Sequence, residues 1–198
     1  MMTKKKRVYI YVNGVLNFPG KSNNWTGRAV TWTQINSSHK AEKVEYYVGP
    51  ISRIFGQKKR SRKLLKTISY YTSPAWEIVL VGHSNGANVI MNALKQMKYP
   101  RDQIKAIHLF SPAAPRNFEK NGLNKAGVPV FVYIGGKDKA LKLSSGVGRF
   151  LGYGALGKDG AREATCPVRH FITDHFGHSS WWCDDQMTST MKAIVHRP

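Results

Sequence analysis

Apolar and polar positions follow two alternating rhythms along this chain. Residues 8–12 (VYIYV) are β-branched or aromatic and stop at Asn13-Gly14, which predicts a buried strand closed by a turn. After a loop-like stretch over residues 19–24, apolar residues recur at 25, 29, 32 and 35. That helical period puts Trp25, Ala29 and Trp32 on one face. Residues 43–48 read as a strand stopped by Gly49-Pro50. Residues 60–71 carry Leu64, Leu65, Ile68 and Tyr71 on one side and cations on the other, an amphipathic helix with its basic face to solvent. Residues 78–81 form a short wholly apolar strand, and residues 87–97 a helix. Two more apolar strands follow at Ile104–Phe110 and residues 130–134, then Val168–Thr173 as the last. Residues 185–196 place Met187, Met191, Ile194 and Val195 on one face of a final helix.

Strands and helices thus alternate, and the strands read as apolar throughout. This pattern predicts an α/β fold, a mostly parallel twisted sheet of about six strands covered by helices on both faces. The chain shows no internal repeat and no linker. It reads as a single domain over residues 1–198, with residues 1–7 as a basic tail.

Composition changes this picture little. A hydrophobic content of 41% in 198 residues argues against disorder and suffices for a substantial core. No apolar run approaches the roughly 20 residues that span a bilayer. The start, MMTKKKRVYIYVNG, has a basic stretch and an apolar one, but Asn13-Gly14 interrupts it and no small-x-small cleavage pattern follows. The expectation is therefore a cytoplasmic protein. Cys166 and Cys183 are the two cysteines, too few for a disulfide framework, and are expected to be reduced thiols.

Charge does change it. The net charge is +20, and residues 1–66 hold 15 of the 31 cations but only 2 of the 11 acids. Two clusters dominate, KKKR at residues 4–7 and QKKRSRKLLK at residues 57–66. Such a field suits an anionic membrane or polyanion as partner, or it serves only to solubilise the surface. The chain carries no motif for sequence-specific reading of nucleic acid, so a polyanion contact would be made to the backbone and depend on salt.

Candidate chemistry starts at Gly82-His83-Ser84-Asn85-Gly86, a G-x-S-x-G match between an apolar strand and a helix. The small residues Gly82, Gly86 and Ala87 permit a sharp turn that lifts the serine hydroxyl above the sheet. Ser84 is then a nucleophile that needs a base and an acid to orient that base. In such a sheet the acid follows the serine and the histidine comes last. Asp138, just past the strand over residues 130–134, is the leading acid, ahead of Asp102 in a turn and Asp159 in a glycine-rich loop. Of His170, His175 and His178, the first falls inside the last strand. His178, flanked by Gly177 and Ser179, is favoured over His175 as the base.

These residues resemble a small α/β-hydrolase, similar in scale to cap-less lipases, esterases and cutinases. The resemblance runs over nearly the whole chain. It rests on the GHSNG elbow, the post-strand Asp138, the histidine of GHSSWW, and their order. It implies little or no cap, no cofactor and no metal. It also implies an oxyanion hole built from the backbone N–H groups of Asn85 and Val15. In that family an early strand ends in His-Gly; here Asn13 stands in the place of the histidine. The expected activity is cleavage of carboxylic esters, of small molecules or lipids, through a Ser84–Asp138–His178 triad. The alternative is a hydrolase-like scaffold acting mainly as a polyanion- or anionic-membrane-binding protein.

Two further motifs do not fit their chemistry. Residues 152–159 (GYGALGKD) imitate a phosphate-binding loop, but no strand leads into them and Asp159 stands where a metal-binding hydroxyl belongs. They read instead as a loop over the site. His170, His175, His178, Cys183 and Asp184 are metal-ligand types without zinc spacing.

Overall fold

Parallel strands cannot be joined by tight turns, so helices must carry this chain back across the sheet between strands. The computed structural model describes residues 5–14, 24–46, 56–97, 102–142 and 155–197. In chain order these form β1 (Lys6–Val12), α1 (Trp25–Asn36), β2 (Lys40–Val44) and α2 (Gln57–Ser69). Next come β3 (Trp76–His83), α3 (Gly86–Gln96), β4 (Ile104–Phe110) and α4 (Phe118–Asn121). The remainder forms β5 (Val130–Gly135), α5 (Leu156–Asp159), β6 (Val168–Thr173) and α6 (Asp184–Val195). The six strands make one parallel sheet in the order β2-β1-β3-β4-β5-β6.

The period of two along each strand splits the core into two layers. Val8, Ile10, Val12, Ile78 and Leu80 face Leu64 and Ile68 of α2 and Ile90 and Leu94 of α3. Tyr9, Tyr11, Val79 and Val81 face Trp25 and Ala29 of α1 and Met187, Met191 and Ile194 of α6. With both faces covered, the central strands are apolar at nearly every position.

The edges depart from expectation. β2 reads KAEKV and β6 reads VRHFIT, so neither is apolar throughout. An edge strand has one side unpaired, and charge there discourages further pairing. β2 also lies earlier than residues 43–48, because the ladder from Val8↔Lys40 to Val12↔Val44 defines it rather than its apolar content. Residues 47 and 48 lie outside the described set. β3 runs beyond its apolar centre to Trp76 and His83, because it pairs with β1 from Lys6↔Trp76 onward and with β4 as far as His83↔Phe110.

α2 starts three residues earlier than the sequence suggests, after Gly56 at φ 90°, a left-handed turn that glycine makes without strain. Its inward face differs too. Arg60 is buried with Ser61, Leu64 and Ile68, not solvated with the other cations. The cause is the helical period itself, since Arg60 lies one turn before Leu64. Its guanidinium sits over the Tyr46 ring at 5.6 Å, and burial pushes its pKa down.

No helix among the described residues is long and apolar enough to cross a membrane. Cys166 is buried, Cys183 is exposed, and both are free thiols.

Candidate active site

A parallel sheet collects all its strand C-termini at one edge, and side chains from different strands converge there. β1 leads into Asn13, β3 into Ser84, β4 into Ser111 and β5 into the loop that carries Asp138. Ser84 adopts φ 53°, a left-handed conformation unusual for a residue with a side chain. The surrounding backbone imposes it. Ser84 N–H donates to Phe110 O at 2.9 Å, and Ser84 O accepts from Ala87 N at 3.2 Å and Ala113 N at 3.1 Å.

Close approach of α3 to β1 makes this turn possible. A Cβ on Gly86 would lie 2.8 Å from Asn13 O and would also run into Val12 O, so only glycine fits there. Asn85, between Ser84 and that glycine, is buried, and no acceptor takes its N–H among the described residues. Its side-chain oxygen accepts from Gln57 Nε2 at 3.0 Å, which ties the start of α2 to the turn. Val15, the other expected oxyanion donor, lies outside the described residues. Asn13, in the position of the family's histidine, turns its Oδ1 back to accept from Gly14 N at 2.8 Å.

The structure brings Asp138 and His178 together. Gly135 and Gly136 let the loop after β5 lie directly against the loop after β6, since a Cβ on either would fall within 2.7 Å of Phe176 or Asp174. Lys137 N donates to Phe176 O at 3.0 Å and locks the two loops. His178 Nδ1 then lies 2.7 Å from Asp138 Oδ2, while Leu141 N donates to Asp138 Oδ1 at 2.9 Å. The Ser111 hydroxyl also favours the charged form of this carboxylate. Burial pushes the Asp138 carboxyl up, but these hydrogen bonds outweigh it and its pKa lies below the ordinary value. An Nδ1–H donated to a carboxylate leaves Nε2 as the free acceptor, the tautomer a general base needs.

The other acids and histidines stand apart from this pair. Asp102 is exposed in a turn, and Asp159 pairs with Arg116 at 3.9 Å. His170 Nε2 accepts from Ala161 N at 2.9 Å, and the exposed His175 ring packs on Phe176. Asp184 pairs with Arg28 at 2.6 Å, so the residues with metal-ligand types are engaged separately. Of residues 152–159, Ala155 onward are described. α5 is fastened by Leu156 N to Ala114 O at 3.0 Å and Gly157 N to Pro112 O at 2.9 Å.

Two residues here escape a reading of motifs. Ser111, at φ 41°, accepts from Trp181 Nε1 at 3.3 Å and helps to hold the Asp138 pKa down. His83 links the strand that leads into Ser84 to the loop that carries His178. Its Nε2–H donates to the His178 carbonyl at 2.8 Å, and the two rings lie 4.9 Å apart. No hydrogen bond joins Ser84 Oγ to His178 among the described residues; the contact to the His178 loop is made by His83, the neighbour of Ser84. Trp25 and Trp182, stacked at 4.0 Å, pack edge-on against His83.

Burial, and after it the neighbouring His178 imidazole, pushes the His83 pKa down to about 3. Burial does the same to His108, which sits in β4 between Tyr133 OH and Arg197 O, both at 3.1 Å. Below pH 6.5 the unfolded chain binds protons at both histidines that the folded protein refuses. Folding stability should therefore be full above that pH and fall as pH drops toward 3, by about 1.4 kcal/mol per unit for each histidine. Denaturant titrations at several pH values test this, and His108→Phe should remove its share of the slope. An unchanged slope would show that His108 is not one of the groups responsible.

A parallel sheet clothed by helices, with a left-handed serine between β3 and α3, defines an α/β hydrolase. The chain belongs to the family described as alpha/beta hydrolase of unknown function (DUF900), whose model matches residues 53–161. That match includes Ser84 and Asp138 and stops short of His178. No curated protein matches the sequence. Among solved structures, the methylesterase MES16 from Arabidopsis shares the fold with a TM-score of 0.60 and 13% identity, over 96% of this chain and 98% of that one. Esterase B from Lactobacillus rhamnosis, in a structure with a tributyrin phosphonate, has a TM-score of 0.59 and 10% identity over 97% and 75%. Est1E from Butyrivibrio proteoclasticus has a TM-score of 0.53 and 14% identity over 98% and 88%.

Proposed function

We propose that this hydrolase cleaves carboxylic esters through a covalent acyl-enzyme formed on Ser84. The observation that carries the reading is the 2.7 Å pair between His178 Nδ1 and Asp138 Oδ2, on loops at the sheet edge where Ser84 is held at φ 53°. Ser84 Oγ attacks the ester carbonyl while His178 Nε2 takes its proton. Asp138 keeps the imidazole in the productive tautomer and stabilises its charged form. The tetrahedral oxyanion is met by the Asn85 N–H, with Val15 N–H proposed as the second donor. His178 then protonates the leaving alkoxide, and a water activated by the same imidazole releases the acid and regenerates Ser84.

The esterases among the structural relatives support an ester as the substrate class. A scaffold acting mainly through its basic surface finds no support in the comparisons. A panel of chromogenic esters with acyl chains from short to long tests the proposal. Saturable turnover that peaks at one chain length is expected. Turnover of none of the panel by folded protein would overturn the reading.

A further inference from the structure

Away from the catalytic edge, a concave basic site lies where β1, β2 and β3 begin. A cleft of about 400 Å³ opens there, lined chiefly by Lys5, Lys6, Ser38, His39, Lys40 and Trp76. Its shape follows from register. Lys6 pairs with Trp76, and Lys40 pairs with Val8, two residues on from Lys6, so all three side chains emerge on one sheet face. The ammonium groups of Lys6 and Lys40 sit 5.9 and 5.7 Å from the centre of the Trp76 ring. Tyr71 packs edge-on against that ring at 5.1 Å and holds it in place.

The charges in this cleft are not balanced from within. Arg7 is neutralised by Glu77 at 2.8 Å. Among the described residues, no carboxylate forms an ion pair with Lys5, Lys6 or Lys40. Two ammonium groups over one indole repel each other, and a single carboxylate would answer only one of them. A tetrahedral oxyanion with several charges can bridge them all, and lysine suits it as a point-charge donor. The exposed cations of α2, by contrast, stand on the outer face of a helix.

We propose that this cleft binds a phosphate-bearing ligand carrying two or more negative charges. Lys5, Lys6 and Lys40 meet its oxygens, the Ser38 hydroxyl adds a donor, and Trp76 forms the floor. The site is independent of the esterase chemistry, because it opens at the opposite end of the strands from Ser84.

Calorimetric titration of the full chain with inorganic tripolyphosphate tests the site. One saturable site is expected, weaker as salt is raised. Lys6→Gln with Lys40→Gln should weaken it by about tenfold or more, whereas Lys59→Gln with Lys63→Gln on α2 should change it by less than about threefold. Both variants should keep the wild-type circular dichroism and thermal unfolding midpoint, which shows that they fold. Absence of saturable heat, or equal losses in the two variants, would overturn the proposal. Vesicles containing phosphatidic acid identify the source of the phosphate. Co-sedimentation displaced by tripolyphosphate assigns a lipid headgroup, and no co-sedimentation assigns a soluble phosphate. Co-sedimentation that tripolyphosphate fails to displace counts against the site.

Discussion

Ser84→Ala is expected to abolish ester turnover, a fall on the order of 10⁶ in kcat, while the protein stays folded. The loss is large because the imidazole and oxyanion donors have nothing to activate or stabilise once the nucleophile is gone. The fold should survive because backbone contacts to Phe110, Ala87 and Ala113 set the turn and alanine keeps all of them. A fluorophosphonate probe should label the wild type at Ser84 and leave the variant unmarked, with thermal unfolding confirming that both are native. Labelling that persists in the variant would place the nucleophile elsewhere.

Asp138→Asn is expected to cost about 10⁴ in kcat with little effect on KM for a small ester. An asparagine amide in place of Oδ2 can donate toward His178 Nδ1, which moves the ring proton to Nε2 and leaves no acceptor for the serine proton. His178→Ala should lose a comparable factor, because it removes the base altogether. His175→Ala should lose almost nothing, since that ring is exposed and packs only on Phe176. If His175→Ala proved the more damaging of the two, the base would be His175.

How much of this could be read from the chain depends on what kind of information each feature uses. Central strands and core helices were legible because burial on both faces writes itself as unbroken apolar runs and helical periods. β2 was misplaced by three residues because an edge strand is defined by its ladder to β1 and carries two lysines and a glutamate. Ser84 stood out because its flanking glycines are needed where α3 comes close, Gly86 against the end of β1 and Gly82 against the start of α3 itself. Asp138 was reachable from its place after β5. His178 could be ranked above His175 but not placed, because the contact between the two loops lies in Gly135 and Gly136 meeting Phe176 and Asp174, about 40 positions later. Ser111 and the His83 tether left no local pattern at all. They are tertiary hydrogen bonds made by residues that look ordinary in sequence.

Arg60 shows the opposite case, a position that local spacing does settle. Its spacing from Leu64 and Ile68 already put it on the buried face, but its company among lysines suggested solvent.

The six strands all point the same way, which gives the molecule a direction. A strand of seven residues, such as β1, is about 23 Å long, and that length separates the basic cleft from the edge that carries Ser84. Held by the cleft against a phosphate-coated surface, the protein would face its serine outward into the surrounding solution. An enzyme moored in that attitude works on molecules that drift past its anchorage, not on the layer to which it is anchored.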